Sequence, residues 1–117
     1  MHRIFVYGTL KRGCVNHAYL GGQRWVGVAR TEPRYRMFDL GGYPGMVEVA
    51  DGLSIQGEVW DVDDDCFAQL DLLEDIEGGE YLRKQIHLKP PFEESRIQGY
   101  LYLRPTERAP EVGECWR

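Results

Sequence analysis

The segment RIFVYGTL, residues 3–10, determines how the chain begins to fold. It places β-branched and aromatic residues together, which favours a strand, and Gly8 then interrupts the pattern. We therefore predict a first strand over residues 3–7 that leads into a loop. Because glycine lets a ligand come close to the backbone, successive N–H groups after Tyr7 are candidates for binding a carboxylate or carbonyl oxygen. An ordinary strand-to-loop glycine gives the same pattern.

A second segment, DDDCFAQLDLLE at residues 63–74, predicts the main helix. Its three leading aspartates suit a helix N-terminus, where carboxylates accept hydrogen bonds from free N–H groups and oppose the helix dipole. On a helical wheel of about 100° per residue, Glu74 falls between Phe67 and Leu70, on the face directed to the core. A charged carboxylate on that face must be paired, protonated or at the mouth of a cavity.

Two interpretations of Glu74 follow from this position. In the structural one, the helix frays at its last turn and the carboxylate reaches water or pairs with Arg83. In the functional one, partial burial raises the pKa of the carboxyl group toward neutrality, which suits a group that takes up and returns a proton. Glu77 and Glu80 are rival carboxylates, but Gly78 and Gly79 break the helix, so we expect both in a loop without a fixed direction.

The rest of the chain reads mainly as short strands separated by glycine and proline turns. The predicted strands cover residues 25–31, 35–40, 46–49, 54–62, 81–88 and 98–103. With the first strand, they give about six or seven short strands beside one main helix. We predict an α+β fold whose small mixed sheet curls toward a barrel, in a single domain over residues 1–117.

Composition restricts the possible functions. The chain has 117 residues, of which 43% are hydrophobic and 28% charged, so it has the composition of a folded domain. Its net charge of −5 disfavours nucleic acid, since an acidic surface repels phosphates. We expect no membrane segment and a cytoplasmic location. The cysteines, which exclude a disulfide framework by their odd number and wide spacing, are Cys14, Cys66 and Cys115.

Metal and nucleotide motifs are incomplete. A pair of glycines at Gly8 and Gly13 resembles a phosphate-binding loop, but Cys14 and Val15 follow where Lys and Ser or Thr are needed. A calcium loop would put Cys66 at the glycine position, although its first ligands have matching counterparts in Asp61, Asp63 and Asp65. The histidines are isolated: His2, His17 and His87. We expect neither a metal nor a cofactor.

Several segments together resemble one known family. FVYGTLKRG at residues 5–13, followed by Asn16 and His17, is similar to the N-terminal signature of the γ-glutamylcyclotransferase family, and especially to that of γ-glutamylamine cyclotransferases. LDLLE at residues 70–74 resembles the family's LDxxE segment. Further similar segments follow the family's order: YPG at 43–45, GEVW at 57–60, YLR at 81–83 and GECWR at 113–117.

The resemblance implies a small mixed sheet closed into a barrel, with a ligand cavity between the YGTL loop and the LDxxE helix. It also implies release of 5-oxoproline from a small-molecule γ-glutamyl substrate, an amine or a small peptide, without a metal. Glu74 would be the general acid and base. The substrate-binding residues would be Tyr7, Gly8, Thr9, Leu10 and Tyr81. Two alternatives stay open: a catalytically silent domain that binds a small metabolite in the same cavity, and a protein-interaction module.

Overall fold

The computed structural model describes residues 1–93 and 96–117. In these residues the backbone forms one α-helix, α1 (Asp64–Leu73), one 3-10 turn (His17–Leu20) and seven strands. The strands are β1 (His2–Val6), β2 (Arg24–Arg30), β3 (Tyr35–Asp39), β4 (Pro44–Glu48), β5 (Gln56–Val62), β6 (Tyr81–Gln85) and β7 (Gln98–Tyr102). The predicted α+β class, with several short strands and one main helix, is confirmed. Within the described ranges, no helix is long and apolar enough to cross a membrane.

Five strands form the main sheet, in the order β2-β5-β1-β7-β6. The sheet is mixed, as predicted, because β1 runs parallel to β7 while the other neighbours are antiparallel. β3 and β4 form a separate two-stranded ribbon. The main sheet therefore positions the end of β1 centrally, with a partner strand on each side.

The main sheet curls as expected, but it stays open between its edge strands β2 and β6. The expectation that the barrel is closed is therefore wrong. The strand predicted over residues 81–88 ends at Gln85. Beyond it, a single bridge between Thr31 and Leu88 joins the continuations of the two edges. One bridge is too short to make a ladder, so the structure is similar to a barrel without being closed.

β1 is buried on both faces, which explains its continuous apolar sequence. Ile4 and Val6 pack in a cluster with residues of α1, such as Phe67 and Leu70. Phe5 belongs to a second cluster, which includes residues of the β3–β4 ribbon. The strand thus lies between the two halves of the core, and the loop that follows it emerges beside α1.

Helix α1 has the N-terminus that its aspartates predict. The side chain of Asp63 accepts a hydrogen bond of 2.8 Å from the N–H of Cys66. Asp63 is thus the cap of the helix, which begins at Asp64. At the other end, the N–H of Glu74 donates to the Leu70 carbonyl at 2.9 Å. Glu74 is therefore held in the last turn, and Asp75 adopts a left-handed conformation, with φ of 53°, as the chain leaves the helix.

The edge strand β2 contains a bulge. Trp25 pairs with Trp60 and Gly27 with Val59, so Val26 has no opposing residue on β5. An extra residue of this kind bends the strand and increases its twist. The bulge therefore contributes to the curl of the main sheet at the β2 edge.

Candidate active site

A small cavity lies between the end of β1 and the last turn of α1. It contains about 360 Å³ of empty space, part of it open to solvent. Its walls are Phe5, Val6, Tyr7, Gly8, Thr9, Leu10, Pro44, Glu74, Tyr81 and Tyr100. Every site residue predicted from the sequence lies on this wall, although these residues come from three separate parts of the chain.

Glu74 is the acidic group that lines the cavity. Its side chain has no hydrogen-bond or ion-pair partner in the described part of the chain. Burial raises the pKa of the Glu74 carboxyl group to about 7, and the negative charge of Glu80 contributes to this rise. A carboxyl group with this pKa is divided between its acid and base forms near neutral pH, as an acid-base catalyst requires.

The pairing of Glu74 with Arg83, which we considered from the sequence, is wrong. The Arg83 guanidinium donates instead to the carboxylate of Asp71, which lies one helical turn before Glu74. The guanidinium also stacks over the Phe67 ring, with Cζ 4.1 Å from the ring centre. The second oxygen of Asp71 accepts a hydrogen bond of 2.8 Å from the Tyr100 hydroxyl. Asp71 therefore joins α1 to β6 and β7, and Arg83 is not a partner of Glu74.

The loop after β1 presents free backbone donors. The N–H groups of Gly8, Thr9 and Leu10 donate to no acceptor among residues 1–93 and 96–117. The carbonyl groups of these three residues are all engaged: Gly8 accepts from the Lys11 N–H at 3.1 Å, Thr9 from the Asn16 N–H at 2.9 Å and Leu10 from Nδ1 of His17 at 3.0 Å. The loop is thus held in place by its carbonyl oxygens, while consecutive N–H groups remain available to a ligand.

Glu58 on β5 holds the same loop from behind, a role that the sequence did not reveal. Glu58 is buried, with 8% of the residue exposed. Its carboxylate accepts hydrogen bonds from the backbone N–H of Arg12 at 3.1 Å and from the Trp60 indole at 3.2 Å. The Arg12 guanidinium lies 3.7 Å from the ring centre of Trp25. The GEVW segment therefore fixes the course of the loop without entering the cavity.

Three tyrosines line the cavity, and each hydroxyl donates to a protein acceptor. Tyr7 donates to the Tyr100 carbonyl at 2.7 Å and Tyr81 to the Pro44 carbonyl at 2.7 Å, while Tyr100 donates to Asp71. The Tyr7 hydroxyl also accepts from the N–H of Met46 at 3.1 Å. These bonds join the main sheet to β4 and make the cavity wall rigid.

A vestibule continues outward from the cavity. It shares Thr9, Glu74 and Tyr81 with it and adds Asn16, Tyr43, Leu73 and Glu80. The expectation that Glu80 lacks a fixed direction is wrong, because the Tyr43 hydroxyl donates to its carboxylate at 2.9 Å. The backbone N–H of Glu80 also donates to Asp75 at 3.1 Å, which holds the turn after α1. Glu77, the other rival carboxylate, is exposed and lies outside both cavities.

Metal ligands are not assembled in the described ranges. Among residues 1–93 and 96–117, no group of three or more His, Cys, Asp or Glu side chains is placed to hold a metal ion. Cys14, Cys66 and Cys115 are free thiols. The polar groups of the residues that line the cavity are the Glu74 carboxyl group with its raised pKa, three phenols, the Thr9 hydroxyl and backbone amides.

Comparison with known proteins identifies the family. The model of the family described as "Gamma-glutamyl cyclotransferase, AIG2-like" matches residues 4–117. A Vibrio cholerae protein named "Putative gamma-glutamylcyclotransferase" is 46% identical over 101 residues, which cover 86% of this chain and 82% of that protein. The solution structure of ytfP from Escherichia coli is 32% identical, has a TM-score of 0.72 and matches 97% of this chain and 94% of that chain.

A mouse aig2-like protein has a crystal structure with a TM-score of 0.73 and 26% identity, covering 97% of this chain and 87% of that chain. The match to the family model thus covers nearly the whole sequence, and the structural likeness extends over the same length. This chain belongs to the gamma-glutamyl cyclotransferase, AIG2-like family.

Proposed function

We propose that the protein is a metal-independent γ-glutamyl cyclotransferase that releases 5-oxoproline from a γ-glutamyl amine or a small γ-glutamyl peptide. The observation that carries this proposal is the placement of Glu74. Glu74, whose carboxyl group has a pKa of about 7, lines the same small cavity as Gly8, Thr9 and Leu10, whose N–H groups have no acceptor in the described part of the chain.

The reaction uses the substrate's own α-amino group as the nucleophile. This nitrogen attacks the γ-carbonyl carbon and closes a five-membered ring, and the bond between that carbon and the leaving amine then breaks. The cavity holds the glutamyl chain folded, so that the two reacting atoms are close together before reaction. No nucleophile or Lewis acid from the protein is needed for these bond changes.

Glu74 transfers the protons. As a carboxylate it takes a proton from the substrate's α-ammonium group, and as an acid it gives that proton to the nitrogen of the leaving amine. The ring nitrogen loses a second proton after it has attacked, and the released amine takes up this proton and departs as an ammonium ion. Negative charge that develops on the γ-carbonyl oxygen is stabilised by backbone N–H donors of residues 8–10, each worth about 3 kcal/mol in comparable sites. The leaving amine extends into the vestibule beside Tyr43 and Glu80.

The alternative is a silent domain that binds a small metabolite in the same cavity. A domain that only bound an anionic ligand would gain nothing from a carboxyl group on the cavity wall, so Glu74 favours the enzyme.

The three cysteines are free thiols, which suits a reducing compartment. We therefore propose that the protein is located in the cytoplasm.

The test is incubation of the purified protein with a panel of γ-glutamyl amines and γ-glutamyl dipeptides, followed by assay of 5-oxoproline. Glu74→Gln keeps the size of the side chain but cannot transfer a proton, so we expect turnover to fall at least about 100-fold. The matched control is Glu77→Gln, which makes the same change at an exposed position and should keep full turnover.

Normal turnover by Glu74→Gln would show that another group transfers the protons. If the wild-type protein gives no product from any member of the panel but binds one of them in calorimetry, the silent binding domain is the correct interpretation.

A further inference from the structure

Lys11 is a buried cation that the proposed reaction does not use. Only 8% of the residue is exposed, and it is not among the residues that line the cavity or its vestibule. Its ammonium group donates to the Trp116 carbonyl at 2.6 Å and to the Cys115 sulfur at 3.6 Å. No carboxylate in the described part of the chain pairs with it. Lys11 is thus a charge buried against a backbone carbonyl and a thiol.

Burial of this ammonium group costs free energy. Removing a charge from water is expensive, and acceptors that carry no full charge return only part of that cost. A methionine would fill nearly the same space without the cost, but its apolar contacts have no preferred direction. A hydrogen bond of 2.6 Å is directional and holds the two groups that it joins at a defined distance and angle. The contact is therefore suited to fixing a position.

The acceptor side of this contact is held in place. The C-terminal segment, residues 111–117, is bonded to both sheets, because the N–H of Val112 donates to a carbonyl of β3 at 2.8 Å and the Glu114 carbonyl accepts from the first N–H of β5 at 2.8 Å. The Trp116 side chain also packs against the core cluster that includes Phe5. The Trp116 carbonyl is thus a fixed point to which Lys11 is attached.

On the donor side, the backbone of Lys11 closes the turn that carries the free N–H groups. Its own N–H donates to the Gly8 carbonyl at 3.1 Å, so residues 8–11 form one turn. The N–H groups of Thr9 and Leu10 lie within this turn. A displacement of Lys11 would therefore displace them as well.

We propose that Lys11 is a positioning residue, which aligns the N–H groups of residues 8–10 with the substrate by joining their turn to the C-terminal segment. This inference rests on the proposed function and adds a part of the chain on which the geometry of the loop depends. Lys11 acts through the turn and does not touch the substrate. Because the N–H groups stabilise charge that develops during the reaction, their misalignment lowers kcat more than it raises KM.

The test is Lys11→Met, which keeps the apolar stem of the side chain and removes the ammonium group. Both kinetic constants are measured per folded molecule, for the γ-glutamyl compound of the panel with the highest turnover. We expect kcat to fall at least tenfold and KM to change less than threefold. A residue with only a structural role would reduce the amount of folded protein and leave kcat and KM of the folded molecules unchanged, and this result would overturn the proposal.

Lys84→Met is the matched control. Lys84 is an exposed lysine of β6 that pairs with Glu48 at 3.2 Å, and it lies outside the cavity and the vestibule. The same substitution at this position should leave kcat and KM unchanged. An equal fall of kcat in the two variants would exclude a specific role for Lys11.

A measurement on the wild-type protein requires no variant to fold. Glutaryl butylamide has the carbon chain of a γ-glutamyl amide but lacks the α-amino group, so it binds without cyclising. We expect its titration to shift the NMR signals of Lys11 Cε and of the amides of residues 8–10 with the same Kd, while Lys84 Cε stays unchanged. Shifts of the loop amides without a shift at Lys11 would refute the coupling between the contact and the cavity.

A failure of the proposed function is distinguishable from a failure of this inference. If the wild-type protein gives no 5-oxoproline, the hold of Lys11 on the loop is measured by amide hydrogen exchange. The N–H groups of residue 11 and Asn16 donate to carbonyl groups of the loop, and they should exchange at least tenfold faster in Lys11→Met than in the wild type and Lys84→Met. Equal exchange in all three proteins would refute the positioning role.

Discussion

Glu74 affects the stability of the protein as well as the chemistry of the cavity. Its carboxyl group has a pKa of about 7 in the folded chain, against an ordinary value of 4.5, so folding favours the neutral acid. The resulting destabilisation is absent below pH 4.5, grows as the pH rises from 4.5 to 7, and is fully present above pH 7.

Glu74→Gln removes this destabilisation. The free energy of unfolding of the variant minus that of the wild type should be about 2 kcal/mol larger at pH 8 than at pH 5. Urea unfolding at both pH values measures the change. Glu77→Gln should show no such increase, and an identical pH dependence in wild type and Glu74→Gln would mean that the carboxyl group is fully hydrated.

At the scale of elements, the contact between the loop after β1 and the ribbon shapes the cavity. A Cβ atom at Gly8 would lie 2.5 Å from Cγ of Pro44 and 2.9 Å from its Cδ, closer than real atoms approach. The proline ring cannot turn aside as a flexible chain can, and the Pro44 carbonyl is the acceptor for Tyr81. Glycine at position 8 is thus required by packing.

Gly8→Ala should therefore separate the loop from β4. We expect a loss of about 1–3 kcal/mol in the free energy of unfolding, together with a fall in turnover larger than the loss of folded protein explains. The comparison is Gly27→Ala, whose new Cβ would make an ordinary 3.5 Å contact with Phe92. Equal effects of the two substitutions on turnover would exclude a specific role for the contact with Pro44.

Local signals made much of the elements predictable. The aspartates before Cys66 locate the start of α1 to within one residue because capping is a local interaction. The strand predicted over residues 46–49 begins earlier, at Pro44, because pairing with β3 outweighs the weak strand preference of proline and glycine. The 3-10 turn at His17–Leu20 is too short to leave a periodic pattern, and its first residue is not fixed by a side-chain cap.

The site was predictable to a different extent. The helical wheel placed Glu74 on the inner face, since that argument needs only the regular turn of α1. The hydrogen bond between Tyr43 and Glu80 could not be predicted in this way, because it is a tertiary contact between positions 37 residues apart, where the turn after α1 meets the ribbon. The pairing of Arg83 with Asp71 instead of Glu74 is a tertiary contact too, and it could not be predicted for the same reason.

At the scale of the whole molecule, we propose that the chain is one domain. The two halves of the core share β1, and two buried hydrogen bonds join the ribbon to the main sheet: Tyr7 accepts from the Met46 N–H, and Tyr81 donates to the Pro44 carbonyl. Neither half can lose its packing without exposing one face of the central strand. Cooperative unfolding follows from this arrangement.

We expect a single unfolding transition in urea, with the same midpoint by far-ultraviolet circular dichroism and by tryptophan fluorescence. The tryptophans report on both halves of the core. Trp25 and Trp60 pack in the cluster that includes residues of α1, and Trp116 packs in the cluster that includes Phe5 and residues of the ribbon. Single-tryptophan variants that retain Trp60 or Trp116 separate the two signals. Midpoints that differ between them would show two independently folding units.

The bulge at Val26 has a consequence for the behaviour of the protein at high concentration. An uninterrupted outer strand offers a row of backbone groups to which a strand of another molecule can add, and such additions propagate into aggregates. In this chain the row on β2 is interrupted, and the exposed side chains of Arg24 and Arg30 stand near its two ends. Like charges on a second copy would repel there, so the outer strand resists intermolecular growth of the sheet.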